Sequence, residues 1–250
     1  MSGSASEALL AGRLERYVEL DRANLPYLEW QLEAFRPFLG RRVLEVGCGV
    51  GGILERLGPR ERVIGIDVEP DVLAFAARRF AARPECRFEV ADVGALAPEL
   101  RASLRAERLD TILAINVLEH VRDDLGALQT FEELLVPGGT LCLLVPAHPC
   151  LYGPYDRLDG HYRRYTRRTL GTLLSFTGLR PLRLRYFNAV GALGWWVQYR
   201  LLRRAVHTPG HFGAMNRILP LVRPLERLVP PPFGLSLVAV CRRGPGGEDA

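Results

Sequence analysis

A glycine-rich turn that directly follows a short apolar run constrains this chain more than any other feature. The run Arg42–Val46 is typical of a β-strand, and the next six residues are Gly47-Cys48-Gly49-Val50-Gly51-Gly52. A backbone that turns sharply from a strand into a helix while it approaches a ligand closely needs glycine. The free N–H groups at the start of such a helix attract phosphate or carboxylate. The sequence therefore predicts a ligand-binding strand–turn–helix unit at residues 42–52.

Two cofactors fit this turn. Gly47, Gly49 and Gly52 match G-x-G-x-x-G, and Asp67 lies 20 residues after Gly47. That spacing is the dinucleotide fingerprint, in which the acidic residue accepts hydrogen bonds from a ribose. Glu45, Gly47 and Gly49 also match E-x-G-x-G, which resembles the first motif of class I S-adenosylmethionine-dependent methyltransferases. The turn alone leaves both this family and an NAD-dependent oxidoreductase open.

Strand and helix patterns alternate through the first two thirds of the chain. Further strands are predicted at Val63–Ile66, Phe88–Ala91, Leu109–Ile115 and Thr140–Val145, with helices at Asp71–Ala82 and Asp123–Val136 and a turn at Pro137–Gly139. Such alternation predicts βαβ units and a parallel sheet that is covered on both faces. Towards the C-terminus, a helix is predicted at Thr166–Thr177, followed by an antiparallel pair of edge strands, Leu182–Phe187 and Leu235–Cys241.

Segments after the glycine turn resemble class I methyltransferases in the order of that family. They are Ala91-Asp92-Val93 at the end of the third strand, LDTILAINVLEHV at residues 109–121, and LLVPGGTL at residues 134–141. With the turn, the resemblance covers Glu45–Val145. It implies an α/β, Rossmann-like, doubly wound seven-stranded sheet whose last strand is antiparallel, with S-adenosylmethionine as the cofactor. A non-catalytic binding protein of the same fold stays open as an alternative.

The resemblance also implies roles for single residues in cofactor binding. The methionine half of the cofactor is expected among Glu45, Gly47, Gly49 and Gly51, and its ribose hydroxyls at Asp67. The adenine is expected at Asp92 and the backbone of Val93, and the sulfonium beside Asn116. Asp92 also fits a helix N-cap before Gly94–Leu100, and the two roles are compatible.

The acceptor is expected at the loop after the fifth strand, residues 146–165. Methyl transfer needs an aligned nucleophile, exclusion of water and, for a hydroxyl, a group that accepts its proton. The candidate bases are His161 and His148, with Asp156 as an orienting partner, and the candidate acceptor ligands are Tyr152, Arg163 and Arg164. Alternatively, Asp156, Arg163 and Arg164 form an ion-pair network that pins the loop. No metal is required, and no H-E-x-x-H or cysteine-rich set predicts one.

The loop also bears on the class of acceptor. Its G-H-Y-R-R-Y-T run is similar to loops of bacterial methyltransferases whose genes often lie beside glycosyltransferase genes, which favours a small-molecule, glycan, lipid-like or natural-product acceptor. Methyltransferases that act on nucleobase amines typically carry Asn or Asp, two prolines and an aromatic residue after strand four. The sequence Asn116-Val117-Leu118-Glu119 departs from that pattern and disfavours nucleic acid.

Charge is distributed unevenly along the chain. All 33 basic residues are arginine, and residues 151–234 carry 14 of them against Asp156, Asp159 and Glu226. This asymmetry fits an anionic acceptor, and it fits equally well the arginine codon preference of a GC-rich genome.

Domain organisation follows from these assignments. Residues 1–40 are expected to form an N-terminal helical cap on a methyltransferase domain at 41–250, which includes the 146–165 acceptor loop and a helical insertion at 188–234. The insertion, with Trp195 and Trp196, fits a lid, a peripheral membrane element or a plain extension packed on the core or on a second subunit.

The sequence favours a reduced, cytoplasmic chain, because its cysteines are scattered, it has no apolar run of membrane-spanning length and its start is not signal-like. The chain would be membrane-associated if the insertion lies on a bilayer.

Overall fold

A single sheet of seven strands organises the described part of the chain. The structure is a computed structural model that describes residues 14–15, 17–19, 21–201 and 209–245, with the side chains of 199–201 and 209–215 left aside. The strands are β1 Arg42–Val46, β2 Arg62–Asp67, β3 Cys86–Val90, β4 Leu109–Ile115, β5 Leu135–Pro146, β6 Leu179–Phe187 and β7 Ser236–Arg243. Their order across the sheet is β3-β2-β1-β4-β5-β7-β6.

Strand direction divides the sheet into two parts. The first five strands are parallel neighbours, as in the register Val43↔Val63 between β1 and β2 and Val43↔Thr111 between β1 and β4. β7 runs antiparallel to both β5 and β6, so it lies between two strands that point the opposite way. The predicted fold class, with an antiparallel last strand, is confirmed.

Helices cover both faces of this sheet. They are α1 Leu25–Glu33, α2 Gly52–Arg56, α3 Pro70–Arg79, α4 Pro98–Ala106, α5 Asp124–Leu134, α6 Pro154–Leu158, α7 Arg167–Leu174, α8 Ala189–Trp195 and α9 Pro209–Leu228. Residues 14–15, 17–19 and 21–23 are also helical and precede α1. Short 3-10 turns occur at Arg36–Phe38, Val93–Ala95, Leu118–His120 and Pro149–Leu151.

The core has two layers because successive strand residues point to opposite faces. Leu44 and Val46 belong to the layer that α4, α5 and α7 cover, while Val43 belongs to the layer that α1, α2, α3 and α9 cover. β4 divides in the same way, with Ile112 in the first layer and Leu113 in the second. A strand buried on both faces is a continuous apolar run, which is why β1 and β4 have the predicted bounds.

Several predicted boundaries differ from the structure, three of them for clear local reasons. The segment after Asp92 divides into Val93–Ala95 and α4, because Pro98 starts a new helix and favours an extended Ala97 before it. The Pro137–Gly139 turn lies inside β5, where Gly138 has a φ of 76° and the pairing with β4 shifts register. The helix before it ends at Leu134 rather than Val136.

The described residues of the insertion between β6 and β7 are mainly helical. α8 continues as a π-helix at Trp196–Leu201, and α9 follows after residues 202–208, which lie outside the described part. Leu219 and Val222 of α9 are buried against the second core layer, and Glu226 accepts hydrogen bonds from the backbone N–H of Asn188 (2.9 Å) and Ala189 (2.7 Å). The described part of the insertion is therefore packed on the core.

Within the described ranges, no helix has both the length and the apolar character to cross a membrane.

Candidate functional site

The glycine turn after β1 adopts the backbone that its sequence predicts. Gly47, Gly49 and Gly51 have φ values of 68°, 53° and 82°, a region that L side chains rarely adopt. A Cβ at Gly47 would lie 2.6 Å from Val117 Cγ2, and one at Gly51 would lie 2.6 Å from Phe80 Cε2. Both backbone conformation and space therefore require glycine at these positions.

Asp67, the last residue of β2, holds this turn in place. Its Oδ2 accepts a hydrogen bond from Gly49 N at 2.8 Å, and its Oδ1 accepts one from Glu69 N at 3.0 Å. Each carboxylate oxygen has a second lone pair, so Asp67 has capacity for two further donors such as a pair of hydroxyls. Asp67 thus fixes the backbone of the turn and keeps lone pairs for further donors.

Glu45 on β1 is a buried carboxyl group with an unpaired oxygen. It is 3% exposed, and its Oε2 has no hydrogen-bond partner among the residues that the structure describes. Burial raises its pKa well above the usual value, and the nearby charges of Asp67 and Asp21 raise it further. A buried carboxylate of this kind is costly unless a cation or a hydrogen-bond donor joins it. The position therefore suits a ligand that carries a positively charged group.

A cavity of about 200 Å³ opens between the glycine turn and the N-terminal helices. Glu45, Gly47 and Asn116 line it from the sheet side, and Tyr17, Asp21, Asn24, Leu28 and Gln31 line it from the other side. The Oδ1 of Asn24 is buried without a partner. Sequence reasoning expected a helical cap here but assigned no site residue to it, because nothing in its local pattern indicates which side chains meet a turn far along the chain.

The predicted adenine and sulfonium residues lie at the ends of β3 and β4. Asp92 is exposed, and its Oδ1 accepts a hydrogen bond from Gly94 N at 2.8 Å, so the N-cap role is present for the 3-10 turn that contains buried Val93. Asn116 is exposed with a φ of 54°, and its N–H donates to Leu144 O at 2.8 Å. Both side chains are at the same carboxyl edge of the sheet as Glu45 and Asp67.

The structure brings three of the predicted acceptor-loop residues together. Asp156 is fully buried, and its Oδ1 lies 2.7 Å from Arg164 Nε and 3.0 Å from His161 Nδ1. Gly153 N donates to the other carboxylate oxygen at 2.8 Å. Arg164 is itself 5% exposed and also lies over the Trp195 ring. Asp156, Arg164 and His161 thus form a buried network inside the loop that engages the Arg164 side chain, and the acceptor role of Arg164 stays a prediction.

His161 is a poor general base in this arrangement. Its second ring nitrogen, Nε2, lies 3.1 Å from Asp159 Oδ2, so both nitrogens face carboxylates. Burial acts to lower its pKa, but the hydrogen bonds to Asp156 and Asp159 outweigh it and raise the pKa to about 9. A ring with that pKa is protonated at neutral pH when no cation is bound, which weighs against His161 as the base, and its catalytic role stays a prediction.

The remaining predicted residues of the loop are separate from this network. The ring of His148 stacks on Tyr186 at 4.7 Å, and its Nε2 is buried without a partner. Burial lowers the pKa of His148, with a further contribution from Arg164, so the ring is neutral at physiological pH. Arg163 forms an ion pair with Asp124 at 2.6 Å. The Tyr152 hydroxyl donates to His161 O at 2.8 Å.

Comparisons with known proteins point to one family. Residues 44–141 match the family model described as a methyltransferase domain. Over 124 residues the chain is 38% identical to a ubiquinone biosynthesis O-methyltransferase of Paracidovorax citrulli, covering 48% of this chain and 49% of the relative. Over 130 residues it is 34% identical to an uncharacterized methyltransferase of Mycobacterium bovis, covering 52% of this chain and 62% of the relative. The chain spans about half the length of the curated relatives that it matches.

Solved structures share the fold at low identity. A chain from the complex of the Haloferax volcanii Trm112 methyltransferase activator with a methyltransferase superposes with a TM-score of 0.62 at 16% identity, covering 94% of this chain and 95% of that one. The N-methyltransferase NodS of Bradyrhizobium japonicum, in complex with S-adenosyl-L-homocysteine, gives 0.53 at 18% identity, covering 92% and 86%. Together with the sheet order, these matches identify residues 44–141 as a domain of the class I S-adenosylmethionine-dependent methyltransferases within a seven-stranded methyltransferase fold.

Proposed function

We propose that this chain transfers a methyl group from S-adenosylmethionine to a small-molecule acceptor of the glycan, lipid-like or natural-product kind. The observation that carries the proposal is the buried, unpartnered Oε2 of Glu45, which borders a cavity beside three left-handed glycines. The cofactor has a cationic amino group and a carboxylate at one end. A lone buried carboxylate next to a glycine turn suits both of these groups at once.

Each end of the cofactor is assigned to its own residues in this proposal. Glu45 accepts hydrogen bonds from the amino group, and the backbone of Gly47, Gly49 and Gly51 surrounds the rest of the methionine half. Asp67 keeps its bonds to the turn and accepts two more from the ribose hydroxyls through its remaining lone pairs. The position of Asp67 is already fixed by the backbone, which lowers the entropic cost of binding.

The other half of the cofactor meets the ends of β3 and β4. Asp92 and the backbone of Val93 are proposed to contact the adenine, while Asn116 borders the sulfonium. The N-cap bond of Asp92 uses one of its oxygens, Oδ1, and leaves Oδ2 for an adenine amino donor. The bound cofactor supplies an electrophilic methyl group on sulfur. The chain's own task is then to align the acceptor atom, exclude water and take up a proton where the acceptor is a hydroxyl.

His148 is the stronger of the two predicted bases for that proton. It is neutral at physiological pH and has an unpartnered Nε2, whereas His161 is protonated and paired on both sides. With a hydroxyl acceptor, replacing His148→Gln should lower kcat by about 10²- to 10⁴-fold while the Kd of S-adenosylhomocysteine stays unchanged. An unchanged kcat would remove His148 from the proposal.

The acceptor class rests on two observations. The relatives named ubiquinone biosynthesis O-methyltransferase support a small-molecule acceptor with a hydroxyl. Asn116-Val117-Leu118-Glu119 still lacks the residues typical of nucleobase methylation, so nucleic acid stays disfavoured. Arg163 and Arg164 are proposed to hold the loop rather than the acceptor, since each already pairs with a carboxylate. Tyr152, at the same loop, is retained as an acceptor contact.

Calorimetry distinguishes this proposal from the alternative that the same turn binds NAD in an oxidoreductase. Dinucleotide-binding sheets of the doubly wound type continue in parallel after strand five, whereas β7 here is antiparallel. We expect saturable binding of S-adenosylmethionine and S-adenosylhomocysteine and none of NAD. Saturable binding of NAD without binding of S-adenosylhomocysteine would overturn the proposal.

A further inference from the structure

Glu119, His120 and His161 form a compact cluster that the cofactor site does not use. Glu119 and His120 lie in the 3-10 turn after β4, and His161 follows α6 in the acceptor loop. One ligand atom from each residue lies within 4.8 Å of the others. The rings of His120 and His161 are in edge-to-face contact, with 4.5 Å between their centroids. Two imidazoles and one carboxylate are thus brought together from segments about forty residues apart.

The carboxylate of Glu119 is the unusual member of the cluster. It is fully buried, and within the described part of the chain neither Oε1 nor Oε2 has a hydrogen-bond partner. Buried carboxylates are normally paired, hydrogen-bonded or bound to a metal, because water no longer stabilises their charge. The two imidazole rings are the groups that Glu119 faces within the cluster. A cation bound among these three side chains would neutralise the Glu119 carboxylate and be coordinated by the ring nitrogens.

The surroundings of His161 match those of a histidine that binds a metal. Metal-binding histidines almost always donate their second ring N–H to a carboxylate or a carbonyl, which fixes the orientation of the ring. Here Nδ1 lies 3.0 Å from Oδ1 of fully buried Asp156, which is held in turn by Arg164 Nε at 2.7 Å. Nε2 points the other way, towards Asp159 Oδ2 at 3.1 Å. The Asp159 side chain is half exposed, so water can stabilise its carboxylate when this nitrogen binds a metal ion instead.

We propose that Glu119, His120 and His161 bind one divalent transition-metal ion, with Asp156 as the positioning residue for His161. A ligand set of two imidazoles and one carboxylate suits Zn²⁺ and the neighbouring first-row ions rather than Mg²⁺ or Ca²⁺, which prefer oxygen. Three protein ligands leave at least one coordination position for water or another molecule. His120 is exposed, so the ion has a path from solvent. Short sequence motifs do not reveal this set, because His161 lies far from the Glu119-His120 pair.

Metal titration of the full chain tests this without cofactor or acceptor. After treatment with EDTA, the protein is titrated with Co²⁺, whose visible absorption reports the ligand geometry, and with Zn²⁺ in a calorimeter. We expect one equivalent of each, and a loss of affinity of roughly 100-fold or more in Glu119→Gln and His161→Gln. Asp156→Asn should lose about 10- to 100-fold, as expected for a group that orients a ligand. His148→Gln, a histidine outside the cluster, is the control and should bind the ion as the parent does.

The alternative is a metal-free cluster in which protonated His161 neutralises Glu119. It predicts no stoichiometric binding by the parent, or binding that Glu119→Gln and His161→Gln leave unchanged, and either result overturns the proposal. Circular dichroism shows whether each variant folds. If Glu119→Gln is unfolded, His120→Gln replaces it, since His120 is exposed and its change spares the core. Retention of full affinity by folded His120→Gln and His161→Gln would equally overturn the proposal.

Discussion

Replacing Glu45→Gln should stabilise the cofactor-free protein and weaken cofactor binding at the same time. Glutamine keeps the shape of the side chain but removes a buried charge. Glu45 is 3% exposed, and its Oε2 has no donor among the described residues. The charge is unfavourable in the free protein and favourable only when a cationic group is bound. The two effects therefore have opposite signs, which a purely structural role for Glu45 does not produce.

The magnitudes follow from the two environments. Leaving a buried polar group unsatisfied costs about 1 to 3 kcal/mol, and more when the group is charged. In a chain of this size each kcal/mol corresponds to roughly 2 to 4 °C in Tm, so the glutamine variant should melt several degrees higher. A charge-assisted hydrogen bond is worth about 1.5 to 3 kcal/mol, so the Kd of S-adenosylhomocysteine should rise roughly 10- to 150-fold.

The stability gain also has a defined pH dependence. The pKa of Glu45 is raised in the folded protein by burial and by Asp67 and Asp21, so folding favours its protonated form. Below the unfolded-state pKa of about 4.3, the carboxyl is neutral in both states and the penalty is absent. The parent loses stability relative to the variant as pH rises from there through the folded-state pKa. The difference in Tm should thus be small at low pH and largest above the folded-state pKa.

Thermal melts across this pH range and calorimetry with S-adenosylhomocysteine measure both effects. Glu99→Gln, the same chemical change on an exposed helix, should leave the Kd unchanged and alter Tm little. If Glu45→Gln lowers Tm, the residue has a structural partner and the reasoning fails. If it raises Tm but leaves the Kd unchanged, the cationic end of the cofactor lies elsewhere.

Other predictions concern the turn and the acceptor loop. Asp67→Asn should raise the Kd of S-adenosylhomocysteine tenfold or more in calorimetry, and also lower Tm, because the carboxylate holds Gly49 N; an unchanged Kd would contradict the ribose assignment. Arg164→Leu should destabilise the protein by about 3 to 5 kcal/mol in urea unfolding, because it leaves buried Asp156 without its ion-pair partner. Arg163→Ala should cost at most about 1 kcal/mol, because that ion pair is partly exposed, and equal losses would refute the buried network. In protein freed of metal with EDTA, the His161 ring should titrate by NMR near pH 9 and contribute stability that is full below about pH 6.5 and lost as pH rises through 9; a midpoint near 6.5 would contradict its two carboxylate contacts.

Much of the fold was predictable because its signals are local. β1 and β4 are continuous apolar runs, which is what burial on both faces of a parallel sheet requires. Gly47, Gly49 and Gly51 are where positive φ is needed, and Asp67 closes the next strand. The apolar runs Leu182–Phe187 and Leu235–Cys241 predict an antiparallel edge pair, and the family resemblance implies the same antiparallel last strand. These features depend on residues close together in sequence or on motifs in a set order.

The missed features depend on contacts between distant segments. Tyr17 and Asp21 line the cofactor cavity only because an N-terminal helix packs over the glycine turn. Asp156 and Arg164 are both candidate residues in the sequence, but their burial, and the raised pKa of His161, depend on how the loop folds against the 3-10 turn after β4. Glu119 lies in a family-like segment that predicts no role for it, since the lack of a described partner for its carboxylate is a property of packing alone.

The most direct test of the account is the position of S-adenosylhomocysteine in a crystal structure of the complex. The account predicts that its amino nitrogen lies within hydrogen-bond distance of Glu45 Oε2, about 2.7 to 3.2 Å, with both ribose hydroxyls on Asp67 and the sulfur beside Asn116. A ligand bound away from the glycine turn, or bound there with Glu45 still unpartnered, would contradict it.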